Sequence, residues 1–348
     1  MKKACSAKFR LFIALIATLA IVATTTRADE PQPKALKSAA QLVETLKGKI
    51  GAEYKIPESV PYDVLACEQR DHKIVLYKTG EDWNDPNATR WEWVPNDALG
   101  PERGKLFGHV DECKPALDRS VVLVASSGGG VAVVRVEDKK VLFFATPRGN
   151  THSIAMLPDG NIVTASSTGA FVALFVAPDP ETVGDDPETS PIVQKIELNG
   201  GHGVVWDAKR QILWALGYEY ILGLEYNGNK TEPELKEVYR IPVTDTMAAG
   251  GHDFYPAPGY DAIMATGRGV AVFDPETRTV TDVCKMKSVK SISLTPEETL
   301  MIQRAAEEWW NESLLYGDAN DTKVGTNSGA RFYKARWFVD NEFSEPKE

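Results

Sequence analysis

The chain has 348 residues, with 49 acidic against 39 basic side chains, a formal net charge of −10 and 43% hydrophobic residues. Such an acidic balance excludes nucleic acid and anionic membrane surfaces as favoured partners, since both would repel it. The hydrophobic fraction is that of a globular protein with a sizeable core.

Lys2, Lys3, Lys8 and Arg10 precede an apolar run from Leu11 to Ala23 and a small-residue site at Thr26-Arg27-Ala28. That order describes a secretory signal peptide over residues 1–28, with an apolar run too short to span a bilayer. Cys5 comes before the run, which argues against a lipoprotein anchor, and the short Lys-rich leader has a bacterial look. Cleavage removes five cations and no acid, shifting the net charge to about −15. The expectation is a periplasmic or secreted monomer with no membrane contact after cleavage. Three cysteines then remain, Cys67, Cys113 and Cys284, so at most one bridge forms. Cys67 and Cys113 can pair across adjacent repeats, or all three can be buried thiols acting as small hydrophobes.

Residues 29–58 read as a spacer with two prolines followed by a helix. Leu36, Ala40, Val43, Leu46 and Ile50 recur at helical spacing, and Gly48 or Gly51 ends the pattern. The amphipathic stripe fits packing against the main domain.

Residues 59–348 carry no helical pattern after Tyr62, only short β-rich runs separated by Gly, Pro, Asn and Asp. His152, His202 and His252 recur every fifty residues, each opening the same kind of segment: HSIAMLPDGNIVTASS, HGVVWDAKRQILWALG and HDFYPAPGYDAIMATG. Four strands per segment of 40 to 50 residues is the signature of propeller blades. Six blades are expected, with seven as the alternative. The prolines of YKIPESVPYD make a poor inner strand for blade one, and the C-terminal RFYKARWFV can help close the ring.

Registering neighbouring segments on their second strands places Glu112 and Lys290 in the histidine slot, giving Glu112, His152, His202, His252 and Lys290 around one channel mouth. Loops between second and third strands converge there too. They bring Gln69 to His72, Ser126 and Ser127, Ser166 to Thr168, Tyr218, Glu219, Arg268 and Glu307 to Trp310. Glu112, His152, His202 and His252 form a candidate ligand set for a divalent transition metal such as Zn²⁺ or Mn²⁺. Lys290 and Arg268 are candidate catalytic cations, able to neutralise a substrate carboxylate, with Lys290 also a candidate base. Tyr218, Glu219, Trp309 and Trp310 are candidate substrate contacts, the tryptophans as stacking platforms for a sugar. The opposing possibility is that the histidines merely bond backbone carbonyls and fill the channel.

The motif LPDGNIV followed by a small-residue strand resembles blades of the broad class that holds NHL-repeat and SMP-30-like six-bladed propellers. The set GHGVVWD…LWALG, GGHDF and VKSISL resembles a bacterial exported propeller family of unknown function, over about residues 62–340. The resemblance implies the fold. The lactonases of the SMP-30-like group bind their metal with acidic and Asn ligands, so their chemistry does not carry over to a histidine slot; in composition alone the ring is similar to that of oligogalacturonate lyases. Two functions follow: a metal-assisted enzyme acting on acidic oligosaccharides, such as a lyase, or a non-catalytic propeller binding a sugar or a protein.

Overall fold

The structure, a computed structural model, describes residues 35–345 apart from Ala52 and Glu307. The expected signal peptide and the spacer, residues 29–34, lie outside them. Helix α1 (Ala39–Lys49) starts at a capping box in which Ser38 and Gln41 satisfy each other's free backbone N–H groups. Its buried face is Ala39, Leu42, Val43 and Leu46, packed beside Tyr260, Met264 and Val272. Thr45 hydrogen-bonds the Tyr260 hydroxyl at 2.8 Å, fixing the helix to blade five.

Twenty-five strands are assigned among the described residues, and they form six antiparallel sheets, the blades of a propeller. Five blades run in chain order from the channel outward, with inner strands Val110–Ala116, Thr151–Met156, Gly203–Asp207, Asp253–Pro256 and Val289–Leu294 for blades two to six. Blade one departs from this order, because its inner strand is the C-terminal segment Phe332–Trp337 paired to Val64–Glu68. The proline-rich stretch before Val64 thus stays out of the ladder and the chain's two ends close the ring.

Burial follows position in the blade. The blade-two inner strand is buried throughout, whereas the outer strand Ile192–Glu197 of blade three alternates half-buried and exposed residues. That is the period expected of a strand covered on one face. Facing sheets bury continuous apolar layers between them, such as Leu65, Trp93, Phe107, Val122 and Val134 between blades one and two. Burying one such side chain stabilises the fold by about 1.5–3 kcal/mol.

One element departs from the sequence expectation. Helix α2 (Pro95–Gly104) follows blade one, although no helix is expected after Tyr62. Pro95 suits its first turn, but Gly100 at φ 73° and Pro101 break it in the middle, so no helical period survives in the sequence. The acidic loop 177–191 is mostly exposed but returns to blade two, where Thr189–Ser190 adds a fifth, parallel strand. Cys67 and Cys113 are buried free thiols and Cys284 is a half-buried one.

Candidate functional site

Each inner strand delivers one side chain to the channel mouth. In blades two, three and six that residue is the extra one of a β-bulge: Asp111 between Val110 and Glu112, His152 between Thr151 and Ser153, Lys290 between Val289 and Ser291. A bulge re-aims its side chain away from the ladder, here toward the channel. His202 and His252 stand just before their strands, their backbone N–H groups bonded to Leu216 and Thr266. In blade one the irregularity between Ala66 and Glu68 leaves Tyr333 and Lys334 unpaired in the ladder. The ring therefore reads Tyr333, Asp111, His152, His202, His252, Lys290.

The imidazoles touch. His152 and His202 stack with centroids 4.3 Å apart and planes 19° apart, and His252 meets His202 edge-on at 5.4 Å. His202 Nδ1 donates to Gly200 O at 2.8 Å, which leaves its Nε2 as the acceptor. Tyr333 Oη lies 3.4 Å from His152 Nδ1, itself 3.8 Å from Asp111 Oδ1. Burial holds all three histidines neutral, with His202 pushed down to about 4, His252 to about 3 and His152 well below its usual value. The nearby ammonium of Lys334 acts in the same direction.

Beneath this ring lies a second layer of charge. Arg336 pairs with Glu112 at 2.8 Å and with Asp253 at 2.6 Å, and Lys334 approaches the same two carboxylates at 3.2 and 3.4 Å. All four side chains are fully buried. Lys334 also donates to the carbonyls of His152 and His202, so its ammonium stands in the channel directly under the imidazoles. Lys114 joins from blade two, donating to Ser153 Oγ, Ile154 O and Val204 O.

Above the ring is an open cavity of about 370 Å³, within the range of small-molecule sites. Asp111, His152, Lys290 and Tyr333 form its floor, and Gln69, His109, Ser127, Asn150 and Trp309 its sides. Trp309 Nε1 donates to Gln69 Oε1 at 2.9 Å, and Gln69 Nε2 donates to Asp111 Oδ1 at 3.0 Å. Lys290 is half-buried, and that burial pushes its ammonium below the usual lysine value. Its side-chain hydrogen-bond partner is the neutral His252, 3.5 Å away, and no carboxylate among the described residues lies within ion-pair distance.

The sequence matches, over residues 33–348, the family described as "Family of unknown function (DUF6528)". The chain belongs to that family. No curated protein matches it significantly. Among solved structures it is similar to Kuenenia stuttgartiensis hydrazine synthase, at 14% identity and a TM-score of 0.42, over 61% of this chain and 64% of that one. It is also similar to the dihydro-heme d1 dehydrogenase NirN in complex with DHE, at 14% identity and a TM-score of 0.42, over 79% and 56% of the two chains. The chain thus spans less than two thirds of either neighbour, and these likenesses carry no functional argument.

In this DUF6528 protein the residues singled out from sequence fall into three groups. His152, His202, His252 and Lys290 stand together at the mouth, and Trp309 lines its side, 46% exposed. Tyr218 is 40% exposed and packs on His202 at 5.4 Å. Glu219, Arg268 and Trp310 serve elsewhere: Glu219 is exposed, Arg268 is exposed and donates to Thr244 O, and Arg331 stacks on Trp310.

Glu112 is corrected. It lies in the buried layer, spent on Arg336 and Lys334, and Asp111 holds the slot. Below its bulge the blade-two hairpin has five residue pairs and a four-residue turn, where blade three has four pairs and a five-residue turn. Counting from the second strand therefore misplaces the slot by one. As the side chains stand, Glu112, His152, His202 and His252 do not surround one point, and no group of three or more His, Cys, Asp or Glu among the described residues is arranged to hold a metal. Stacked imidazoles send their nitrogens in parallel directions, whereas metal ligands must converge. Tyr333, Lys334 and Arg336 were missed altogether. The signal for the two cations is the Lys and Arg two apart in RFYKARWFV, which puts both on one face of an otherwise apolar strand.

Proposed function

We propose that this propeller binds a small acidic, hydroxylated molecule of the sugar-acid class in its upper funnel. The observation that supports the reading is Lys290. A buried charge is normally paired with an opposite one, because taking it out of water unpaired is costly. Lys114, Lys334 and Arg336 have the carboxylates of Glu112 and Asp253 among them, while Lys290 faces the cavity with a neutral imidazole beside it. A ligand carboxylate would complete that pair. The neutral imidazole of His152 and the Tyr333 hydroxyl supply a donor and an acceptor for hydroxyls, and exposed Trp309 offers a face for a sugar ring.

The leader supports export, so the ligand would be met in the periplasm or outside the cell. Binding is the core of the proposal. Lys290 and the imidazoles also suit proton transfer on a bound acid, so turnover of an acidic oligosaccharide is the enzymatic extension of the same reading. The test is calorimetric titration of the full exported chain with glucuronate and, as the neutral control, glucose. Glucuronate should bind, glucose should bind at least about tenfold more weakly, and Lys290→Met should lose that preference, as expected for one charged hydrogen bond. Equal binding of the two sugars, or a preference that survives Lys290→Met, would overturn it. Stoichiometric transition metal in the purified protein would replace it with the metal-assisted reading.

A further inference from the structure

We infer that the funnel selects anions that carry a hydroxyl, that Asp111 is the residue that imposes the selection, and that a bare oxyanion is refused. The inference rests on the anion reading above. Asp111 and Lys290 occupy the ring positions on either side of Tyr333 and line the same cavity. An anion drawn to Lys290 therefore arrives beside a carboxylate that is only 2% exposed. That carboxylate cannot swing away. Its Oδ1 accepts from Gln69 Nε2, its Oδ2 accepts from the Ser127 backbone N–H, and Gln69 is itself held by Val110 O and Trp309 Nε1.

With both oxygens already accepting, what Asp111 still presents to the cavity is lone pairs. A ligand group there must donate a hydrogen bond or suffer repulsion at short range, and repulsion against the wrong ligand is a common source of specificity. A hydroxy acid meets both demands, with its carboxylate toward Lys290 and a hydroxyl toward Asp111. Sulfate meets only the first. Hydrogen phosphate has sulfate's shape and charge but keeps a proton, so the pair isolates the effect.

Burial lifts Asp111 to about 7, so the titrations belong at mildly alkaline pH, where it is ionised and phosphate still carries one proton. Wild-type protein should bind hydrogen phosphate and glucuronate at least about tenfold more tightly than sulfate, and Asp111→Asn, which puts an N–H donor at the same place, should close the gap between phosphate and sulfate. Sulfate binding as tightly as phosphate to wild type, or a gap that Asp111→Asn leaves intact, would overturn the selection while leaving the anion reading standing. Failure of all three anions to bind wild type would remove both. Should Asp111→Asn not fold, the wild-type comparison decides alone.

Discussion

The two layers of charge in the channel are built from neighbouring residues of the same strands and do opposite things. In the lower layer Glu112, Asp253, Lys334 and Arg336 are fully buried and mutually paired. In the upper layer, one residue earlier in the chain in blades two and five, Asp111 and His252 sit with Lys290, and among the described residues no carboxylate, Asp111 included, lies within ion-pair distance of Lys290. A paired interior charge is architecture, since removing one partner strands the others. A buried charge left open to a cavity costs stability in the free protein and is retained where a ligand completes it. The closing strand links the layers: Tyr333 belongs to the mouth, and Lys334 and Arg336 to the layer beneath.

The largest expected effect is on the lower layer. Arg336→Met leaves Glu112 and Asp253 buried without their shared guanidinium and should lower stability by about 3–5 kcal/mol in urea unfolding. Arg336→Lys should recover only part, because an ammonium cannot bond both carboxylates in the planar geometry of a guanidinium. A loss below about 1 kcal/mol for Arg336→Met would erase the contrast between the layers.

Acid should bring the next largest effect, acting on the upper layer. Unfolded histidines take up protons below about 6.5, whereas folded His202 does so only near 4 and His252 near 3. Between those values the unfolded chain binds more protons at these histidines, which lowers stability as pH falls by up to about 1.4 kcal/mol per pH unit for each, while Asp111, lifted to about 7 in the fold, opposes them with the reverse slope of a single group. The decline should level off below the folded values. Urea midpoints measured from neutrality down to mild acid check the slope, and His202→Gln should make it shallower. A slope that His202→Gln leaves unchanged would mean that this histidine titrates normally.

Much of the ring was legible in the sequence because inner strands keep their patterning from blade to blade. The spacing of His152, His202 and His252 survived as a period of fifty, and Lys290 followed by register. Asp111 was not legible, since the blade-two hairpin has one more residue pair than blade three and a turn only one residue shorter, which displaces the slot by one. Tyr333 was hidden for another reason. It reaches the ring through pairing of the last strand with the first, a contact between distant parts of the chain that no local pattern announces. Helix α2 failed to show because Gly100 and Pro101 interrupt it.

A smaller loss is expected for His202→Ala, which removes the stacking partner of His152 and the donor to Gly200 O. The cost should be about 1–3 kcal/mol, the value of a buried carbonyl left unpaired. Melting with and without chelator should give the same difference. A wild-type melting point that drops on chelation would instead point to a metal shared by the imidazoles.

The smallest change in stability tests the central contrast most directly. Lys290→Met keeps the unbranched stem, one atom shorter, and removes its charge, so chemical denaturation of this variant in the absence of ligand asks whether the ammonium is a structural partner or a waiting one. The expected result is stability equal to wild type or higher by up to about 1 kcal/mol, because a half-buried charge with no acid in ion-pair contact is relieved. A loss of about 2 kcal/mol or more would show that Lys290 is already paired within the fold, and the reading of the mouth as an anion site would be wrong.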